Sequence, residues 1–277
     1  MRILLFCALA LVLVVLAGWR YSDHRADRME MAHLLALQPK VPMLFDYAMI
    51  ANLPEPAQRY FRFTIAQGTP LLPVAKLSMT GLFSLGDKDQ PNYMKMQAHQ
   101  VLAPPHGFVW KMRAQSGHLR VSGSDSSGWL RFWIGGIMPV ARVGTSKNLT
   151  RSAYGRSVAE AVFWAPAALL PGPDVVWDKV DVDTAKVSVR HAGNEQSVQI
   201  TLASDGQPLS VSFVRWSNAN PEKKYREQPF GGYLSKFKKV QGYQIPTHVE
   251  AGNFFGTDAY FPFFIADVTE ISFPKSP

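Results

Sequence analysis

The sequence predicts a mainly β protein of the α+β class. Its expected architecture is a curled antiparallel sheet or half-barrel with helices packed on the concave side, preceded by an N-terminal membrane helix. Three observations predict this. From residue 74 onward, hydropathy of period two recurs in short runs separated by turn residues, the pattern of an antiparallel meander. Ten or so such strands in one sheet must curl, close or split. Only two helical patterns accompany them, and an unbroken apolar run occupies residues 3–18.

In chain order, that apolar run comes first. Arg2 precedes it, and Trp19, Arg20 and Tyr21 follow at the position of a membrane interface. The run is short for a spanning helix and long for a signal-peptide core. Val15-Leu16-Ala17 offers a cleavage site, and no cysteine follows Leu16-Ala17-Gly18 to take a lipid. Arginines on both sides leave the orientation open, and we favour an uncleaved anchor with the bulk of the chain outside the cytoplasm. Residues 22–37 read as a polar helical stalk leading off the membrane, broken by the prolines of residues 39–42. The expected organisation is an anchor or signal segment at 1–21, a stalk and linker at 22–52, and one β-rich domain at 53–277.

That domain opens with an amphipathic helix. Pro54 and Pro56 stand at its start, Ala57, Tyr60, Phe61, Thr64 and Ile65 follow at helical spacing, and Gly68 is placed to end it. Strands are expected at 74–85, 93–102, 108–114, 119–124 and 129–134. Residues 157–171, SVAEAVFWAPAALLP, then form an apolar helix closed by Pro166 and Pro171. Val158, Ala161, Val162 and Ala165 fall on one side, Phe163 and Trp164 on the other, so the helix suits the inside of a curved sheet. Alternation resumes around Val187, Val198 and Val211. Residues 218–227 are a charged loop, and strands at 232–240, 243–251 and 263–273 follow, with Gln241-Gly242 turning the first pair.

Composition narrows the function classes. The 277 residues are 47% apolar and 18% charged, enough for a sizeable core without disorder. A net charge of +8 attracts nucleic acid or anionic membranes, but the basic residues are scattered and no recognition helix or aromatic RNA-binding strand is present, so nucleic acid is not an expected partner. Cys7 is the single cysteine. No histidine pair has metal-site spacing, and His99, His106 and His118 lie on strands and turns as polar surface, so no metal site is expected. No dinucleotide or phosphate-loop motif calls for a cofactor. Residues 123–128, GSDSSG, lack the spacing of a nucleophile elbow and read as a hairpin loop.

The candidate site residues form a ligand-binding set with no assigned catalytic member. Glu160 is a lone carboxylate among Ala, Val, Phe and Trp, where burial would raise its pKa and make it a proton donor or a partner for a basic group. Ser157-Val158-Ala159-Glu160 also fits the capping box, with Glu160 reaching back to the backbone of Ser157, and this is the favoured reading. Arg113, Arg131, Arg215 and Tyr225 are candidates to hold a phosphate or carboxylate between strands. With 7 Trp, 9 Tyr and 17 Phe in the chain, Trp110, Trp133 and Trp164 are candidates for the wall of an apolar cavity.

Three patches in order, 53–61 (LPEPAQRYF), 157–171 with Val175-Val176-Trp177, and 242–246 (GYQIP), resemble an uncharacterised bacterial family whose members pair such a domain with an N-terminal membrane segment. The resemblance runs from residue 53 to 273 and implies a bacterial inner-membrane protein with one pass and its main domain in the periplasm. It transfers no activity. The architecture more loosely resembles periplasmic lipoprotein carriers, which hold acyl chains in a curled half-barrel, and this implies binding or shuttling of a lipid or other apolar ligand. The alternatives are an enzyme using Glu160 with a strand arginine and an envelope scaffold docking a protein partner.

Overall fold

A computed structural model describes residues 1–276, so Pro277, the last residue of the expected domain, lies outside the described residues. One sheet organises the chain. Its strands are β1 (Ala75–Phe83), β2 (Met94–Ala103), β3 (Gly107–Ser116), β4 (Leu119–Ser126), β5 (Leu130–Ile134), β6 (Met138–Val143), β7 (Val175–Lys179), β8 (Thr184–His191), β9 (Asn194–Leu202), β10 (Pro208–Ser217), β11 (Arg226–Val240), β12 (Tyr243–Asn253) and β13 (Phe261–Ser272). They order as β6-β5-β4-β3-β2-β1-β13-β12-β11-β10-β9-β8-β7, every pairing antiparallel. The sheet is thus two meanders, one before and one after the central helix, joined where β13 returns beside β1. The curled antiparallel expectation holds, with thirteen strands.

Alternation does what period-two patterning requires. In β2, Met94, Met96 and Ala98 are buried while Lys95, Gln97 and His99 are exposed. Gln241 and Gly242 both adopt positive φ, the geometry of a two-residue hairpin turn, and join β11 to β12. At Gly81 the strands approach so closely that a Cβ would meet the Ile265 carbonyl oxygen at 2.0 Å. Residues 226–231, expected within or just after the charged loop, extend β11 instead, and β6 and β7 add edge strands.

The inner face carries the main core and two helices. α2 (Glu55–Thr64) buries Ala57, Tyr60, Phe61 and Thr64, the face its spacing foretells. α3 (Lys147–Trp164) is longer than expected and starts ten residues earlier. Its cap is Ser146, whose Oγ accepts from the Leu149 amide at 3.2 Å, and Pro166 closes it. The Tyr60 hydroxyl donates to the Val162 carbonyl at 2.6 Å, and the Tyr154 hydroxyl to the Val189 carbonyl at 2.9 Å. Buried on both its apolar sides, α3 plugs the curl.

The outer face carries α1 (Arg2–Leu35), which runs without a break from the apolar segment into the polar one. Residues 22–35, within the expected polar helical stalk, are helical and lie along the sheet. Leu34 packs with Val74, Val101, Ala103 and Val109, and Asp23 and Asp27 are buried against strand side chains. Not every helix is therefore on the concave side. Phe45 and Ile50, in the segment after α1, join the main core as well.

Candidate functional site

Between α3 and the inner face lies a cavity of ≈ 230 Å³. Its walls are largely aromatic, with Phe83, Phe132, Phe163, Phe213, Phe230 and Phe264 among them. The volume is below the roughly 300–1,000 Å³ of pockets for drug-sized ligands. One chain or ring fits such a space better than a multi-acyl lipid.

Into this apolar space the fold places four charges. Inward alternation along β4 brings Asp125 to the cavity, β10 brings Arg215, and one turn of α3 brings Arg156 and Glu160. Arg156 is the hub: its Nε donates to Glu160 Oε1 at 2.6 Å and its Nη1 to Asp125 Oδ2 at 2.8 Å. Its guanidinium carbon lies 4.3 Å from the Phe108 ring centroid and 5.3 Å from that of Trp110. Gln100 donates its Nε2 to the other oxygen of Glu160. Burial by itself would lower the Arg156 pKa, but the charges of Glu160 and Asp125 leave it raised. Burial pushes the Asp125 carboxyl up, against the pull of Arg156 and Arg215.

Arg215 is different. It forms no ion pair among the described residues, its Nε has no hydrogen-bond acceptor, and its guanidinium carbon sits 4.8 Å from the centroid of Phe230. Burial, with repulsion from Arg156 second, brings its pKa down to about 10. It is still a cation at neutral pH. A second cavity-wall donor, the Trp110 Nε1, is also buried without an acceptor. Two donors lacking acceptors in one cavity leave room for an anion at its polar end.

Of the eight candidates, Trp110, Glu160, Trp164 and Arg215 line this one cavity, and the other four do not. Arg131 and Trp133 point to the outer face: Arg131 bonds Asp23 at 3.2 Å and Asp27 at 3.1 Å, and the Trp133 indole donates to Asp23 at 2.9 Å. Being one residue from Leu130 and Phe132, they must face oppositely. Arg113 is exposed on that outer side by the same alternation. Tyr225 stacks on Trp216 with ring centroids 6.2 Å apart, beside the cavity and not in its wall.

The capping-box reading of Glu160 is overturned. Ser157 sits mid-helix and donates its hydroxyl to the Tyr154 carbonyl at 2.9 Å, and the carboxylate of Glu160 points into the ion cluster. Sequence reasoning missed Arg156 and Asp125. The i, i+4 spacing of Arg156 and Glu160 was the available signal. Among the described residues no three His, Cys, Asp or Glu side chains converge as metal ligands.

Residues 43–265 match the model of a family of unknown function, DUF6544, and the chain belongs to that family. No curated protein matches it in sequence. Two solved structures are similar to the chain at low identity. A LolA superfamily protein from Nitrosomonas europaea is 10% identical at a TM-score of 0.40, over 80% of this chain and 93% of that one. A domain of a proposed outer membrane lipoprotein-sorting protein from Vibrio parahaemolyticus is 11% identical at a TM-score of 0.36, over 79% and 91%. At these TM-scores the likeness does not bear on function. α1 is the one helix among the described residues long and apolar enough to cross a membrane.

Proposed function

We propose that this is a cell-envelope protein that binds a single apolar chain bearing an anionic head, without transforming it. In this reading residues 3–18 span the bacterial inner membrane once, and the β-rich domain lies outside the cytoplasm. The observation that carries the proposal is Arg215, a cation in the wall of a largely aromatic cavity that makes no direct ion pair among the described residues, while the other three charges there, Arg156, Asp125 and Glu160, are bonded to one another. The chain of the ligand lies along Phe83, Phe213 and Phe264, and its carboxylate or phosphate meets Arg215 and the Trp110 indole.

The catalytic alternative asks Glu160 to move a proton. Glu160 does line the same cavity as Arg215, but both its oxygens are held, one by Arg156 and one by Gln100. That favours a role in fixing Arg156. The test is native mass spectrometry and lipid extraction of the full chain purified in polymer nanodiscs without detergent, with Arg215→Met alongside. An acidic single-chain amphiphile carried by the native chain and lost from the variant is expected. A native chain with no such molecule in excess over bulk lipid, even after incubation with a long-chain fatty acid, sinks the proposal.

A further inference from the structure

The apolar half of α1 keeps company with one part of the sheet. Leu13, Leu16 and Ala17 form a groove with Gly136 and Ile137, at the turn between β5 and β6. Gly135 and Gly136 both take positive φ, which turns the chain tightly and puts Ile137 and Met138 at the tip. Ile137 is 57% exposed, Met138 55% and Val140 48%. Side chains of this kind clustered at one hairpin tip mark a contact surface. The neighbouring helix has no charged residue from Ile3 to Trp19.

Just past that apolar stretch the chemistry changes sign. Arg20, Lys95, Arg113 and Arg120 line a groove whose walls include no carboxylate. The Arg120 carbonyl accepts from the Gly135 amide at 2.8 Å, so this groove adjoins the hairpin turn. Along α1, Leu16 and Leu13 lie four and seven residues below Arg20, or about 6–10 Å at the helical rise. That matches the depth of about 5–10 Å to which interfacial apolar faces sink. Arg142, at the base of the hairpin, stacks over Trp19 at 4.2 Å.

We infer that the hairpin tip is a second membrane contact. Ile137 and Met138 enter the acyl region of the leaflet that α1 leaves, and the groove of Arg20, Lys95, Arg113 and Arg120 takes the phosphates of anionic phospholipid head groups. The inference rests on α1 spanning the bilayer and is independent of what the inner cavity holds. It also orients the domain: Phe83, Phe263 and Phe264 of the cavity wall come from the strand ends that share the hairpin's end of the sheet.

The test uses the full chain with Cys7→Ser and a single cysteine introduced at position 13, 137 or 182, each carrying an environment-sensitive fluorophore. Position 182, in the exposed turn between β7 and β8 at the other edge of the sheet, is the aqueous control. Each protein is reconstituted in phosphatidylethanolamine–phosphatidylglycerol vesicles and challenged with spin-labelled lipid. Blue-shifted emission and loss of most fluorescence at 13 and 137, with neither at 182, is expected. Arg113→Gln with Arg120→Gln should lessen the quenching at 137 and leave that at 13 unchanged. Quenching at 13 but not at 137 overturns the inference while the anchor stands, including the case of a blue-shifted, unquenched 137 shielded by a second copy. No quenching at 13 removes the anchor itself, and the inference with it.

Discussion

The two faces of the sheet use charge in opposite ways. On the outer face the two buried carboxylates of α1 are met several times over: Asp23 by Arg131, Arg142 and the Trp133 indole, and Asp27 by Arg131, Lys111 and Ser124. On the inner face Arg156 is equally well matched, yet Arg215 makes no ion pair among the described residues and its Nε finds no acceptor. A half-buried cation whose Nε is enclosed without an acceptor carries a desolvation cost. The outer face therefore uses its charges to hold a helix, and the inner face leaves one cation outside its bonded cluster.

The largest expected effect comes from breaking the inner hub. Arg156→Met strands Asp125 and Glu160 in an apolar cavity and should cost about 3–5 kcal/mol of unfolding free energy by denaturant titration. On the outer face, Asp23→Asn weakens charged hydrogen bonds to Arg142 and Arg131 and should cost about 2–3 kcal/mol, with Trp133 fluorescence reporting looser packing of α1. The acid response belongs to the same carboxylate. Burial would raise the Asp23 pKa, but hydrogen bonds from Arg142 and Trp133 leave it below its ordinary 3.8. A depressed carboxylate contributes stability above its unfolded pKa and loses it as pH falls through the folded value. Amide protection at β5 and β6, taken relative to the intrinsic exchange rate at each pH, should thus hold from neutral pH to about 4 and fall below that in the native chain, and change less in Asp23→Asn.

Arg215→Met should sharpen the contrast. Removing a half-buried cation that makes no ion pair should leave stability unchanged or raised by about 1–2 kcal/mol, while retention of an acidic amphiphile falls about tenfold or more. A clear loss of stability there would show Arg215 to be a structural residue. Smallest of all, Arg190→Ala removes an exposed pair with Glu195 and should change stability by less than about 1 kcal/mol.

The strands were legible because burial in a sheet imposes period two, as Met94 to His99 show residue by residue. The edge strands were less so. In β6, Pro139 and a register shift opposite Trp133 break the alternation. The N-terminal half of α3 hid because KNLTRSAYGR is polar and contains Gly155, while Ser157 and Glu160 imitate a start signal three residues apart. The same imitation concealed the site. With the helix starting at Ser157, Arg156 fell outside it, and its pairing with Glu160 one turn on could not be drawn. Asp125 reads locally as turn chemistry, and only its cross-strand place opposite Trp110 turns it inward. The candidate arginines could not be sorted by face without knowing the register of each strand.

The unbroken course of α1 has a mechanical consequence. No hinge separates residues 3–18 from the part clamped to the sheet, where Arg20 already bonds Ser122 at 2.8 Å and Trp19 meets Trp133 edge-on. With α1 in a bilayer, the domain is a post set in the floor and not a boat on a line. Its height above the bilayer and its tilt are then set by one continuous helix and not by a linker.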